Sequence, residues 1–345
     1  MLSESVSMKP FLTFNNPQLS QPKNDQYQMD KKSQFAVNCT ENDSLVQLIA
    51  QKSEIDRYLQ AALSNNTRRG YQSDLEQFLS WGGGIPATPE LVCQYLAVHV
   101  GLLSPATLNR RLVSIGRAHT TQGLVSPTKS DIVKATLRGI RRTIGTAQRQ
   151  VSPVVKDELL AMVEKLEGIK GVRDRALLLV GFAGAFRRSE LVAIEYQDIE
   201  FVGQGLTVNI RRSKTDQEGL GRKLAIPYAR GATCPVQSLK AWLEISGICD
   251  GPIFRPVTRH GKISAVRIST QAVAEIVKQR IEAIGLDPAK YSGHSLRAGL
   301  VTSAAQAGVS TYKIKQQTGH KSEAMLQRYI RDSQIFIDNA AGAVL

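Results

Sequence analysis

Residues 206–228, LTVNIRRSKTDQEGLGRKLAIPY, are where the chain changes its period. On either side, apolar residues recur at the three-to-four spacing of amphipathic helices. Here LTVNIRRSKTDQ and GRKLAIPY alternate in twos, as strands do, with the Thr215–Gly221 loop between them. This predicts one small antiparallel sheet set early in a half that is otherwise helical. Upstream of it, KDELLAMVEKLEG (156–168) reads as a helix. GVRDRALLLVGFAGAFRRSELVAI (171–194) reads as two helices broken near Gly181–Gly184. Downstream, CPVQSLKAWLEISG, STQAVAEIVKQRIEAIGL, SGHSLRAGLVTSAAQAG, STYKIKQQTGH and SEAMLQRYIRDSQIF all keep helical spacing.

Further upstream, the polar stretch 145–155, GTAQRQVSPVV, reads as a linker, and 156–345 as one domain. Residues 44–144 form a separate set of four or five helices. NNTRRGYQSDLEQFLSWGGG takes Asn66 or Thr67 as its cap, places Tyr71, Leu75, Phe78 and Leu79 on one face, and ends at Gly82–Gly84. Pro89 falls near a first turn, and Pro105 and Pro127 each follow a Ser cap. Residues 1–43 are polar, without periodicity, and read as a disordered arm.

Lys and Arg number 44 against 30 acidic residues, a net charge of +14, and the pI is near 9.7. Such a chain usually meets polyanions, nucleic acid first among them. The clusters Arg68-Arg69, Arg110-Arg111 and Arg138/Arg141/Arg142 recur in the first helical set and favour a DNA-facing surface there. Helices at 104–124 and 268–284 are candidates to enter a major groove. Cys39, Cys93, Cys234 and Cys249 are scattered with no CxxC pair, which speaks against a zinc site or a disulfide framework and fits a reducing, cytoplasmic setting. The start lacks the pattern of a secretory signal. The longest apolar run, ALLLVGFAGAF (176–186), is too short to span a bilayer.

One local feature runs against preference. In SGHSLRAG (292–299), His294 and Arg297 stand at the start of a helix, where the dipole already presents positive charge. An anion bound there resolves the conflict, and a phosphate is the usual occupant. The other polar residues of this half follow in order: Arg187 three before Glu190 in FRRSEL, Lys214 at a strand end, His320 in TGHKS, and Tyr329 nine residues later in QRYIRD. Singly, each has an ordinary explanation, such as a helix-surface ion pair for Arg187 and Glu190.

In this order the set resembles the tyrosine recombinase (phage integrase) family. The segments GAFRRSELVAI, RRSKT, YSGHSLRAG and TGHKSEAMLQRYIR carry the likeness, which runs from about 45 to 340. The doublet Arg187-Arg188 admits a shifted register; the family's Arg stands three before the acidic residue, which selects Arg187. Phe186 stands where the family usually has Leu or Met.

The resemblance implies a mainly α fold, with a helical core-binding domain and a catalytic domain holding a small antiparallel sheet, closed as a C-shaped clamp on double-stranded DNA. It implies site-specific cutting and rejoining through a 3′-phosphotyrosyl intermediate. Tyr329 would be the nucleophile, Arg187 and Arg297 the phosphate ligands, His294 the proton acceptor and Lys214 the general acid. His320 would bind the phosphate or brace Tyr329, and Glu190 would orient its neighbours. It implies no metal and no cofactor. The partners it implies are specific recombination sites and a homotetramer on two of them, with the C-terminal helix near Ser333–Val344 docking into a neighbouring subunit. A type IB topoisomerase shares much of this set, and a catalytically silent DNA-binding protein of the same fold is the other alternative.

Overall fold

The computed structural model describes residues 62–147, 150–211, 221–320, 322, 323, 326, 327 and 329, together with Glu54, Arg57 and Tyr58. The expected arm, the expected helix before Leu63 apart from those few residues, Lys214 with most of its loop, and the expected C-terminal helix lie outside the described residues. The chain divides into two compact units, Met1–Gln148 and Arg149–Leu345.

The first unit is built from helices α1 (Asn65–Ser80), α2 (Pro89–Val98), α3 (Pro105–Thr120) and α4 (Asp131–Ile144). Side-chain oxygens of Ser64, Thr88 and Ser104 cap the first three by accepting the backbone N–H three residues on. Each such cap is worth about 1 kcal/mol. The cap of α1 is therefore Ser64, not Asn66 or Thr67, which lie inside the helix. Ser126–Pro127 opens only a short 3-10 turn, and α4 starts after Ser130. Phe78, Val92, Tyr95, Leu96, Leu108, Ile115 and Val133 fill the interior, α1 packing on α3 and α2 on α4.

The second unit has its own core, with Leu177, Leu178, Trp242, Phe254, Val273 and Ile281 fully or almost fully buried. Its elements are α5 (Lys156–Glu164), α6 (Gly168–Ala183), α7 (Arg188–Ala193), β1 (Ile199–Val202), β2 (Gly205–Ile210), β3 (Arg222–Pro227), α8 (Pro235–Ser246), α9 (Thr270–Ala283), α10 (Ser295–Gln306) and α11 (Thr311–Thr318). The sheet is antiparallel in the order β1-β2-β3, with Val208 opposite Ile199 and Leu224, and Ile210 opposite Arg222. Leu206, Val208, Leu224 and Ile226 point into the core. Sequence periodicity revealed β2 and β3 but not β1.

Helix α6 is the spine of this unit. Its Gly181 lets α7 and α10 close in: a Cβ there would lie 3.0 Å from Leu191 and 3.1 Å from Leu296. The chain leaves α6 through Ala185, which adopts φ 47°, a left-handed conformation that a residue with a side chain rarely takes. That turn delivers Arg187 to the start of α7 beside the start of α10.

Candidate active site

Arg187 occupies the N-cap position of α7, and Glu190 holds it twice. The Arg187 backbone N–H donates to Glu190 Oε2 at 3.0 Å, and its Nη1 donates to Glu190 Oε1 at 2.6 Å. The three-residue spacing is thus a helix-start geometry, with a carboxylate buried to 1% side-chain exposure. Arg188 turns elsewhere, its aliphatic stem crossing the backbone at Gly293, so Arg187 is the member of the doublet paired with Glu190.

Arg297 lies in the first turn of α10 and is only 6% exposed. Its Nη1 donates to the carbonyl of the strained Ala185 at 2.7 Å, while its Nη2 is buried with no hydrogen-bond partner. Burial, then the charge of Arg187, pulls this guanidinium down to about 10; Glu190 and Tyr329 oppose that pull. Arg297, Arg187, Glu190 and Tyr329 therefore share one electrostatic neighbourhood. Tyr329 is helical and half-buried, packed against Val301, Ala305, Ile314 and Leu326. His294 holds the N-cap position of α10, is exposed, and its backbone N–H donates to Ser292 Oγ at 3.1 Å.

His320 follows the left-handed Gly319 that ends α11. Thr318 Oγ1 donates to Ile314 O at 2.8 Å, so its contact with His320 Nδ1, also 2.8 Å, is one in which Nδ1–H donates. Nε2 is left as the acceptor. Burial, then Arg297, Arg187 and Arg222, pushes this imidazole down to about 4.

Arg222, the first residue of β3, went unnoticed in the sequence. Its guanidinium lies over Gly319, where a Cβ would come 3.1 Å from Cζ. Nη1 donates to Gln317 O at 2.9 Å, and Nη2 stands 3.9 Å from Glu190 Oε2, buried and without a hydrogen-bond partner. Gln317 in turn donates through Nε2 to Ala183 O and Ala225 O. A strand-initial Arg reads as solvated in sequence; only the register opposite Ile210 and the fold of α11 place it here. Arg187, Glu190, Arg297, His320 and Tyr329 are thus brought together, with Arg222 added. Lys214 lies outside the described residues.

The arginines proposed for a DNA surface on the first unit divide. Arg69, Arg138, Arg141 and Arg142 are exposed, Arg68 is half-buried, and the Arg110 side chain is 55% exposed while bonded to Asp74 at 2.8 Å. Arg111 is turned inward instead. It is 9% exposed, donates to the Tyr95 hydroxyl and lies 3.9 Å from the buried Asp74. It is a core residue, and the surface reading is corrected for it.

Residues 153–334 match the model of the phage integrase family. An integrase/recombinase xerD homolog of Selenomonas ruminantium is 41% identical over 295 residues, covering 82% of this chain and 86% of that protein. The recombinase cre of Escherichia phage P1 is 26% identical over 281 residues, 75% of this chain and 79% of that one. In fold, the chain is similar to a lambda integrase tetramer bound to a Holliday junction, with TM-score 0.56, 17% identity and 89% of each chain covered. It is likewise similar to the XerH site-specific recombinase bound to difH, with TM-score 0.55, 19% identity, and 74% and 72% covered. This chain belongs to the phage integrase family, the tyrosine recombinases.

Proposed function

We propose that this chain is a site-specific DNA recombinase that breaks and rejoins strands through Tyr329, without ATP or a metal. One observation carries the reading: Arg187 and Arg222 flank a single carboxylate, Glu190, and Arg297, with its Nη2 donor unused, and Tyr329 lie in the same field. Buried cations in such excess call for an anion, and two planar guanidiniums match the non-bridging oxygens of a phosphodiester.

Arg187 and Arg297 hold the scissile phosphate, and Glu190 keeps Arg187 in register. The Tyr329 oxygen forms the new bond to phosphorus while the bond to the 5′-oxygen breaks. The phenol proton passes to His294, and Lys214 delivers a proton to the departing 5′-oxygen. His320 accepts through Nε2 while neutral, which suits it to brace Tyr329 or, once protonated, to bind a phosphate oxygen. The ester energy is retained in the phosphotyrosyl bond, so a 5′-hydroxyl can reverse the step. The helical unit and the catalytic unit each bind duplex DNA. Arg68, Arg69, Arg110, Arg138, Arg141 and Arg142 contact the backbone. Four protomers act on two sites, each docking its C-terminal segment, 333–344, into a neighbour.

A nicked suicide duplex of the cognate site tests this. The wild-type chain becomes covalently attached to the 3′ end, and Tyr329→Phe does not. A wild-type chain that binds its site yet never forms the adduct sinks the proposal.

A further inference from the structure

The pocket holds more positive charge than a phosphodiester needs. Arg187 and Arg222 stand beside the single carboxylate Glu190 and Arg297 lies in the same field, an excess of two charges among the described residues. A ground-state diester carries one negative charge. The pentavalent transition state, with the phenolate oxygen attached, carries two. Arg187 and Arg297 already supply the two guanidiniums proposed to hold the phosphate, so Arg222 is a fixed charge beyond them.

We infer that Arg222 is a positioning residue for strand cleavage, held between β3, Glu190 and the turn before His320 so that its charge matches the pocket to the transition state rather than to bound substrate. This rests on the reading of the site as a phosphotransfer centre. The geometry supports a fixed charge. Nη1 is tied to Gln317 O, Gly319 leaves room for the guanidinium, and Gln317 braces the same place to Ala183 and Ala225. Nη2 is buried beside Glu190, too far at 3.9 Å for a close hydrogen-bonded pair. A group placed to bind Glu190 would close that gap. One placed to add field to the pocket need not, and a charge that acts through field alone counts most where charge develops. The field reaches the other members: Arg222 is among the cations that resist protonation of His320.

The test compares single-turnover cleavage with equilibrium binding on the nicked duplex, for the full chain and for Arg222→Gln, Arg222→Lys and Arg222→Met, each checked by thermal melting. Arg222→Gln is expected to cut about tenfold to a hundredfold more slowly while binding within about threefold of wild type. Arg222→Lys, which keeps the charge, recovers most of the rate. Arg222→Met keeps the apolar stem over Gly319 and takes the place of the Gln variant if that one melts early. In the neutral variants the His320 imidazole titrates above its wild-type position by NMR. Wild-type cleavage rates in a folded neutral variant overturn the inference. So does a Lys variant as slow as the Gln variant, or a rate loss matched by an equal loss of binding. Absence of any wild-type adduct overturns the phosphotransfer reading itself, and the inference with it.

Discussion

Burial and the charges of Arg297, Arg187 and Arg222 push the His320 imidazole down to about 4. Between about pH 6.5 and 4 the unfolded chain takes up a proton at this position that the native pocket refuses. Stability therefore falls as the pH drops through that window and levels off, on this account, below about 4. The loss between pH 7 and 5 is on the order of 1–2 kcal/mol. Urea midpoints at the two pH values should show it in the wild type, and His320→Asn should lose less; equal losses would mean the imidazole is not held neutral. At this scale, legibility in the sequence depended on helical phase. Arg110 and Arg111 look alike as a doublet, yet Arg111 stands three after Leu108 and four before Ile115, both fully buried, so its phase already pointed inward. Arg222 had no such signal, because a strand-initial Arg is placed by its sheet partner and by a helix almost a hundred residues away.

Helix α10 shows how an element can be required to carry a residue that weakens it. Gly299 sits in its interior, where Ala would normally gain up to about 1 kcal/mol. Here a Cβ would collide with the Val154 carbonyl, because the segment entering the catalytic unit lies directly across the helix. Val154 N–H donates to Ser295 O at 2.9 Å, and Lys156 N–H to Ser303 Oγ at 3.1 Å. Gly299→Ala should therefore destabilise the unit, by about 1–3 kcal/mol as an overpacked contact does, and slow cleavage by shifting Arg297. A variant that melts at or above the wild-type temperature would show that the segment yields freely. The same element was easy to find in sequence, since Leu296, Leu300 and Val301 keep helical spacing and Gly308, at φ 74°, marks its end. β1 was not. IEFV is short, only partly buried and pairs with β2 through a tight turn at Gly203–Gln204, so neither alternation nor burial stood out.

For the whole molecule, the two hydrophobic cores share no residue, so each unit has the means to fold alone. The boundary at Gln148/Arg149 falls within the polar stretch 145–155, but that stretch is physically divided. Gly145, Thr146, Ala147 and Gln150 are exposed, whereas Ser152 N–H donates to Lys290 O and Val154 is fully buried. A composition reading sees one linker because Ser152 and Pro153 look like loop residues; the backbone partners of Ser152 and Val154 lie some 140 positions further on. Limited proteolysis should therefore cut first between Gly145 and Val151 and leave a catalytic fragment that keeps residues 152–156. That fragment should melt in one cooperative step by calorimetry, at the temperature of one of two transitions in the intact chain. Trimming it to begin at Asp157 removes the strap over α10 and should lower that melting temperature; no change would show that the strap contributes nothing to holding Arg297 and His294 in place.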